Sequence, residues 1–230
     1  MSAPTQGDLL GLAGVYGYVL CVVVLTWVLK DRTKNPRKVL HILTGGIVFF
    51  WWSFDTREVM AGLAAFPFVV VLLLASPRSP IAFLRNSPLG ARSAEGHPYG
   101  LFWYAASWTA IAYLLFSDLF AASIAIAAMS FGDGMGEFIG RRYGRMRYLR
   151  HRTIEGSCAV LVATFASILV INWFYFGVID YPFGGPPDMV VLFALSVAGL
   201  VTCLEAVTPG QIDNLVIPLV IGGYLHMLGV

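Results

Sequence analysis

Residues 9–29 read LLGLAGVYGYVLCVVVLTWVL, 21 consecutive residues without a charged side chain. At a rise of about 1.5 Å per residue, a helix of this length is about 30 Å long, which matches the hydrocarbon core of a bilayer. The stretch is too long for the apolar part of a signal peptide, and no basic residue precedes it. We therefore predict that it spans a membrane in the mature fold.

The composition of the whole chain is also that of a membrane protein. Of its 230 residues, 58% are hydrophobic and 12% are charged, and the mean hydropathy is +0.75. Since a soluble domain has about 25% charged residues, an ordinary cytosolic protein and a disordered chain are both excluded. The net charge of +2 also excludes a nucleic-acid binder that relies on bulk positive charge. An integral membrane protein remains, in which we expect Cys21, Cys158 and Cys203 to be small buried residues without a disulfide or zinc site.

Eight apolar runs follow one another along the chain. Each is predicted to be a helix, because backbone polar groups in hydrocarbon must be hydrogen-bonded within their own segment. The runs are residues 9–29, 40–54, 59–75, 101–117, 119–131, 157–178, 189–204 and 215–230. The predicted fold class is all-α, a polytopic membrane bundle of 7–8 transmembrane helices. Run 119–131 covers only about 20 Å, so it either continues into the glycine-rich segment that follows or ends within the membrane.

The basic residues indicate an orientation. With eight helices, 14 of the 15 lysines and arginines fall in loops on one side, and only Arg57 lies on the other. The positive-inside rule assigns that side to the cytoplasm and places both termini outside. The 14 residues are Lys30, Arg32, Lys34, Arg37 and Lys38 in the first loop, Arg78, Arg85 and Arg92 in the third, and Arg141, Arg142, Arg145, Arg147, Arg150 and Arg152 in the fifth.

The fifth loop begins with FGDGMGEFIGRRYGRMRY, residues 131–148. If this segment is helical, its acids and two of its arginines share one face beside a stripe of glycines spaced four apart. Such a stripe allows another helix to approach closely, which would permit a homodimer. Residues 132–134, with two glycines, favour an unwound turn or a helix start, since glycine costs about 1 kcal/mol relative to alanine in a helix. The face holds Asp133, Glu137, Arg141 and Arg145, and the stripe holds Gly132, Gly136, Gly140 and Gly144.

Asp133 and Glu137 predict a cation between them, because two acids one turn apart beside a membrane repel each other. Ion pairs with the arginines are one explanation. Magnesium is the fuller one, since it takes one or two protein carboxylates and completes its shell with water and phosphate oxygens. Arginines then neutralise the remaining phosphate charge. P-loop, protein-kinase, nucleophile-elbow and His-Glu-x-x-His motifs are absent from the sequence, so these chemistries have no support.

Several ordered elements resemble the signature of the polyprenol kinase family, which includes phytol, dolichol and CTP-dependent diacylglycerol kinases. The segment 132–144 is followed by RTIEGS at 152–157. Before it, RKVLH at 37–41 is similar to a further family element, and so are Glu205 and residues 213–218 near the other end. These elements cover most of the chain, so the resemblance implies a single integral membrane kinase domain over residues 1–230.

The resemblance also implies roles for individual residues. Asp133 and Glu137 are implied to be catalytic, holding the metal or polarising the attacking hydroxyl. The residues implied to bind the phosphates of the nucleotide are Lys38, Arg141, Arg142 and Arg152. The residues implied to line the same nucleotide-binding pocket are His41, Thr153, Glu155, Asp213 and Asn214. Aromatic residues such as Tyr104, Trp51 and Trp108 are expected in interfacial belts instead.

The function that the resemblance implies is a CTP-dependent lipid kinase with Mg²⁺ as cofactor. It phosphorylates the hydroxyl of a membrane prenyl alcohol, such as phytol, geranylgeraniol, polyprenol or dolichol, at the cytoplasmic face. The choice of CTP follows from the resemblance alone. One alternative is a cytidylyltransferase that makes a CDP-lipid from a lipid phosphate. An alternative of another class is a small transporter or structural membrane protein, in which the acids and arginines form ion pairs.

Overall fold

The computed structural model describes residues 3–29, 32, 36–87, 90, 99–149, 152–181, 189–210 and 212–229. Within these ranges the chain is mostly helical, and each of the eight predicted runs falls on a helical segment. Four of the basic residues that support the orientation lie outside the described residues, namely Lys30, Lys34, Arg92 and Arg150.

The first half of the chain forms helices α1 to α5. Their bounds are Gln6–Val28 for α1, Pro36–Thr44 for α2, Phe66–Leu74 for α3, Ala82–Arg85 for α4 and Gly100–Leu114 for α5. Helix α2 continues as a narrower 3-10 helix over Gly45–Ser53, and a wide π-helical segment, Val59–Ala65, leads into α3. A Cβ added to Gly45 would lie 2.5 Å from Cβ of Ser130, so the end of α2 packs directly against the central helix of the bundle.

That central helix is continuous from Leu119 to Tyr143. It consists of α6 (Leu119–Ala127), a π turn (Ala128–Asp133) and α7 (Gly134–Tyr143). Of the two outcomes expected for run 119–131, the helix therefore takes the first and continues through the glycine-rich segment. Of the unwound turn and the helix start predicted at residues 132–134, the unwound turn is wrong, because the backbone stays helical. The π turn ends at Asp133 and the α-helical segment α7 starts at Gly134, so the local irregularity is absorbed by a wider hydrogen-bond spacing.

A hairpin and three helices make up the described part of the chain after α7. Strand β1 (Arg147–Leu149) pairs antiparallel with β2 (Arg152–Thr153), with Arg147 opposite Thr153. Helix α8 (Ile154–Asn172) extends through a π turn at Trp173–Val178 and is followed by α9 (Val190–Val207) and α10 (Asp213–Leu228). The small hairpin was not expected in an all-α protein, because its sequence is dominated by arginine and lacks an apolar alternation.

Among the described residues, four helical segments are long and apolar enough to cross a membrane: Gln6–Val28, Leu119–Tyr143, Ile154–Val178 and Val190–Val207. Val59–Leu74 and Asp213–Leu228 are apolar but shorter. The helical, membrane-type architecture is thus confirmed, whereas the number of 7–8 spans stays a prediction.

The glycine stripe faces helix α8 of the same chain. A Cβ added to Gly136 would lie 2.4 Å from Cγ2 of Val160, and one added to Gly140 would lie 3.2 Å from Oγ1 of Thr153. The predicted close approach of a second helix is therefore confirmed, and the second helix belongs to this chain. It brings α7, which holds the predicted acids, against the hairpin end of α8.

The cysteines differ from their prediction. Cys21, Cys158 and Cys203 are all exposed, so their predicted burial is wrong. Leu20 and Val24, near Cys21, are exposed too. The physical reason is that the outer surface of a membrane bundle is itself apolar, so an apolar run does not indicate burial within the protein.

Candidate active site

Lys38 lies between the two predicted catalytic acids. Its Nζ is 2.8 Å from Oδ2 of Asp133 and 2.7 Å from Oε2 of Glu137. The four-residue spacing puts both carboxylates on one face of the central helix, and α2 brings the lysine to that face. Lys38 and Asp133 are buried, while the side chain of Glu137 is 31% exposed. One ammonium group therefore neutralises a pair of acids that differ in their access to water.

Arg141 extends this row of charges toward the exposed end of α7. Its Nη2 is 2.8 Å from Oε1 of Glu137, so Glu137 binds Lys38 with one oxygen and Arg141 with the other. The guanidinium is mostly exposed. The sequence offered ion pairs between the acids and the arginines as one explanation, and such a pair is present between Glu137 and Arg141. The acids also pair with Lys38, which lies on another helix, so the spacing along α7 could not indicate this partner.

His41 adjoins Asp133 from α2. Its Nε2 donates to the carbonyl oxygen of Met129 at 3.2 Å and is 3.9 Å from Oδ2 of Asp133. The ring packs on Tyr104, with ring centroids 4.6 Å apart. The Tyr104 hydroxyl is 2.8 Å from Oγ of Ser130, which itself donates to the carbonyl of Ile126.

Tyr104 and Ser130 therefore belong to the wall of the site, although sequence reasoning missed both. Tyr104 was expected in an interfacial belt and is buried instead, as are Trp51 and Trp108, so that prediction is wrong for all three. Ser130 offered a usable signal, since it precedes Asp133 by three residues and so shares its face of the helix.

A second cluster surrounds Arg152 at the end of the hairpin. Its guanidinium binds Oε1 of Glu205, at the end of α9, through Nη1, and Nη2 is 3.7 Å from Oδ2 of Asp213. Nη2 also donates to the carbonyl of Thr208 at 3.4 Å. The other carboxylate oxygen of Glu205 is buried and has no hydrogen-bond partner among the described residues. The sequence drew attention to Glu205 only through the resemblance and gave it no role.

Electrostatic interaction links the two clusters into one polar site. Burial, together with the negative charge of Asp133, raises the pKa of Asp213 to about 7, and the positive charges of Lys38 and Arg152 oppose this. Asp213 precedes the apolar part of α10, which begins at Leu215. The ion pairs of the two clusters join four carboxylates (Asp133, Glu137, Glu205, Asp213) to three cations (Lys38, Arg141, Arg152).

Four further predicted residues lie around this core. Thr153 caps α8 by accepting the N–H of Gly156 at 3.1 Å, and Asn214 donates from Nδ2 to the carbonyl of Gly100 at 3.0 Å, so both hold backbone in place. Two residues lie on the loop side instead: Glu155 accepts the N–H of Met146 at 3.4 Å, and Arg142 is exposed with its guanidinium 5.3 Å from the ring of Tyr143.

The donor set fits a hard divalent cation. The carboxylates of Asp133 and Glu137 both reach one point, which Lys38 Nζ occupies, and carboxylate oxygens are the ligands that Mg²⁺ prefers. No group of three or more His, Cys, Asp or Glu side chains among the described residues is arranged to hold a metal. A magnesium ion here would therefore take its remaining ligands from water and phosphate, as it commonly does.

An apolar helical bundle with a charged cluster of this kind defines a membrane-associated protein. The chain is 31% identical over 224 residues to a phytol kinase from Synechocystis, and the alignment covers 91% of this chain and 86% of the relative. Probable chloroplastic phytol kinases from Triticum aestivum and Zea mays are 27% and 28% identical, covering 92% and 90% of this chain and 73% and 71% of their own lengths.

The chain therefore belongs to the phytol kinase family, as its resemblance to polyprenol kinases implied. It is a kinase, a transferase that acts on an alcohol. No protein-family model matches the chain, and no solved structure matches it.

Proposed function

We propose that this protein transfers the terminal phosphoryl group of CTP to the hydroxyl of a membrane prenyl alcohol, such as phytol, geranylgeraniol, a polyprenol or dolichol. The observation that carries this proposal is the Lys38 ammonium group bound between the carboxylates of Asp133 and Glu137, with Arg141 and Arg152 close by. Relatives named phytol kinases support the alcohol acceptor. CTP and Mg²⁺ remain proposals that follow from the resemblance and from the donor set.

In this mechanism the alcohol oxygen forms a bond to the terminal phosphorus while the bond to the CDP oxygen breaks. Asp133, a buried carboxylate at the end of the π turn, orients the hydroxyl and accepts its proton. Lys38, Arg141 and Arg152 neutralise phosphate charge, so that catalysis relies on alignment and electrostatics. When bound, Mg²⁺ would be held by Asp133 and Glu137 and would supply further charge neutralisation on the phosphates.

The remaining predicted residues support this site. Thr153 and Asn214 fix the backbone that presents Arg152 and Asp213, and His41 lies against Asp133. Arg142 and Glu155, on the loop side, meet the nucleotide where it enters. A homodimer, if formed, uses a face other than the glycine stripe, because α8 already covers that stripe.

The proposed topology has 7–8 membrane spans, with the site at the cytoplasmic face. With eight spans, both termini lie outside. A prenyl alcohol is dissolved in the bilayer and CTP in water, so the transfer must occur where the bundle meets the aqueous phase. The 14 basic residues on one side support this placement, because the predicted phosphate ligands are among them.

The test supplies purified protein in lipid nanodiscs with MgCl₂, with CTP, ATP, GTP or UTP in parallel, and with a panel of prenyl alcohols and diacylglycerol. A parallel series offers a lipid phosphate, either a prenyl monophosphate or phosphatidate, as the acceptor. We expect CDP and a prenyl monophosphate, identified by mass spectrometry. Release of pyrophosphate with a CDP-lipid, from a lipid phosphate acceptor, would instead establish the cytidylyltransferase. No turnover with any prenyl alcohol would contradict the proposed substrate.

A further inference from the structure

Lys38 occupies the place between the two acids that suits a metal ion. A single nitrogen lies within 2.8 Å of an oxygen from Asp133 and an oxygen from Glu137. Lysine and a divalent cation cannot both lie at that point, because their charges repel and their ligands are the same. Lys38 therefore neutralises the same two carboxylates that fit Mg²⁺.

We propose that Lys38 holds the cation position between Asp133 and Glu137, and that the two acids exchange its ammonium group for a divalent cation when the nucleotide binds. This inference rests on the proposed function, since it assigns the order of events at that same site. Lys38 then turns to the phosphates and neutralises negative charge on the nucleotide, while the divalent cation neutralises the two acids.

Three features of the structure support the exchange. Lysine has a flexible four-carbon stem and three donors that rotate freely, so it can change partners, whereas a bidentate arginine is more constrained. Lys38 is the third residue of α2, near the end of that helix, so its head group can turn toward the aqueous side. Glu137 is 31% exposed, which gives an incoming cation access to one of the two acids.

The exchange explains how Asp133 and Glu137 can lie close together in a partly buried site. Without any cation, two carboxylates one turn apart would repel each other and lose their hydration. With Lys38 in place, they remain neutralised between turnovers, and a metal gains entry only when phosphate provides a new partner for the lysine. The wild-type protein should therefore bind a divalent cation weakly in the absence of nucleotide.

The experiment measures Mn²⁺ binding by electron paramagnetic resonance on the full chain in nanodiscs, without nucleotide. We expect Lys38→Met to bind Mn²⁺ at least tenfold more tightly than the wild type, because the competing ammonium is gone. The double variant Lys38→Met/Asp133→Asn should not show this increase in Mn²⁺ affinity, because one of the two carboxylates is removed. Arg57→Met, which removes a cation from the exposed pair with Glu58, is the matched control and should leave Mn²⁺ binding unchanged.

Thermal unfolding provides a second readout, because Lys38→Met leaves two carboxylates without their shared partner. Mn²⁺ should raise the Tm of Lys38→Met and leave that of the wild type and of the double variant unchanged. Equal Mn²⁺ affinity in Lys38→Met and wild type would overturn the exchange, and so would a Lys38→Met protein that Mn²⁺ does not stabilise. Both measurements are independent of turnover, so a failed kinase assay with a successful exchange would refute only the proposed reaction.

Discussion

At the residue scale, Asp133 is the most constrained member of the site. It lies at the end of the π turn, is buried, accepts a hydrogen bond from Lys38 and has His41 3.9 Å away. A carboxylate placed in this way can serve a reacting hydroxyl, whereas its amide analogue cannot accept a proton.

Replacing Asp133 by Asn should lower kcat about 100-fold or more, because the residue that accepts the hydroxyl proton is removed. The measurement is the formation of the prenyl monophosphate in nanodiscs. Glu58→Gln serves as the control, since Glu58 is an exposed acid paired with Arg57 and should retain full turnover. Wild-type kcat in the Asp133→Asn protein would refute the role assigned to this carboxylate.

Arg152 and Glu205 form the second residue-scale test. The Glu205 side chain is 3% exposed, so removing the guanidinium alone leaves a buried charge without its partner. Arg152→Gln should therefore destabilise the protein by about 3–5 kcal/mol, whereas Arg152→Gln/Glu205→Gln should recover part of that loss. The measurement is chemical or thermal unfolding of both proteins and of Glu205→Gln. Additive losses would show that the pair contributes no coupling.

At the element scale, the contact between α7 and α8 sets the distance between the two clusters. Gly136 and Gly140 lie directly against α8, whose first residue follows Thr153. Because Arg152 precedes α8 and Glu137 lies on α7, any separation of these helices moves the second cluster away from the first.

Gly136→Ala should cost about 1–3 kcal/mol of stability, since its Cβ would lie 2.4 Å from Cγ2 of Val160. Gly199→Ala in α9 is the matched control, because no atom lies within 4 Å of the added Cβ, and it should be neutral or stabilising by up to about 1 kcal/mol. Unfolding measurements compare the two, and Val160→Ala in the Gly136→Ala background should restore part of the loss. Equal effects of the two glycine replacements would contradict the packing argument.

Helix α1 adds a second element whose position depends on a single side chain. Asp8 is fully buried and accepts the backbone N–H groups of Asp55 and Thr56 at 3.0 Å, while it also completes the capping box with Thr5. One carboxylate thus fixes the start of α1 to the loop that precedes residues 59–65. Its location at the N-terminus of a span gave it no visible role in the sequence.

At the scale of the whole molecule, the distribution of basic residues predicts which side of the membrane each loop occupies. In a variant whose three native cysteines are replaced by alanine, a membrane-impermeant maleimide applied to intact cells should label Asp180→Cys. It should label Arg145→Cys only after lysis. Both positions are exposed. The reverse labelling pattern would invert the proposed topology, and with it the cytoplasmic site.

Sequence patterns predicted the helices better than the site. Each apolar run lies on a helix, since hydrocarbon leaves the backbone few alternatives. Asp133, Glu137 and Arg141 were placed on one face because helical spacing alone determines that relation, and the structure places them there. The pairing of Glu205 with Arg152 joins a helix to strand β2 across 53 positions of the chain, so no local spacing could indicate it.

The sequence by itself determined the membrane class, the helical fold and the face of the central helix that holds the acids. These features depend on composition and on short-range periodicity, which are local physical properties. Only the tertiary structure decided that Lys38 neutralises both acids, that α8 fills the glycine stripe, and that the cysteines face outward. Each of these depends on which helices pack together, and that choice is made by contacts between residues far apart in the chain.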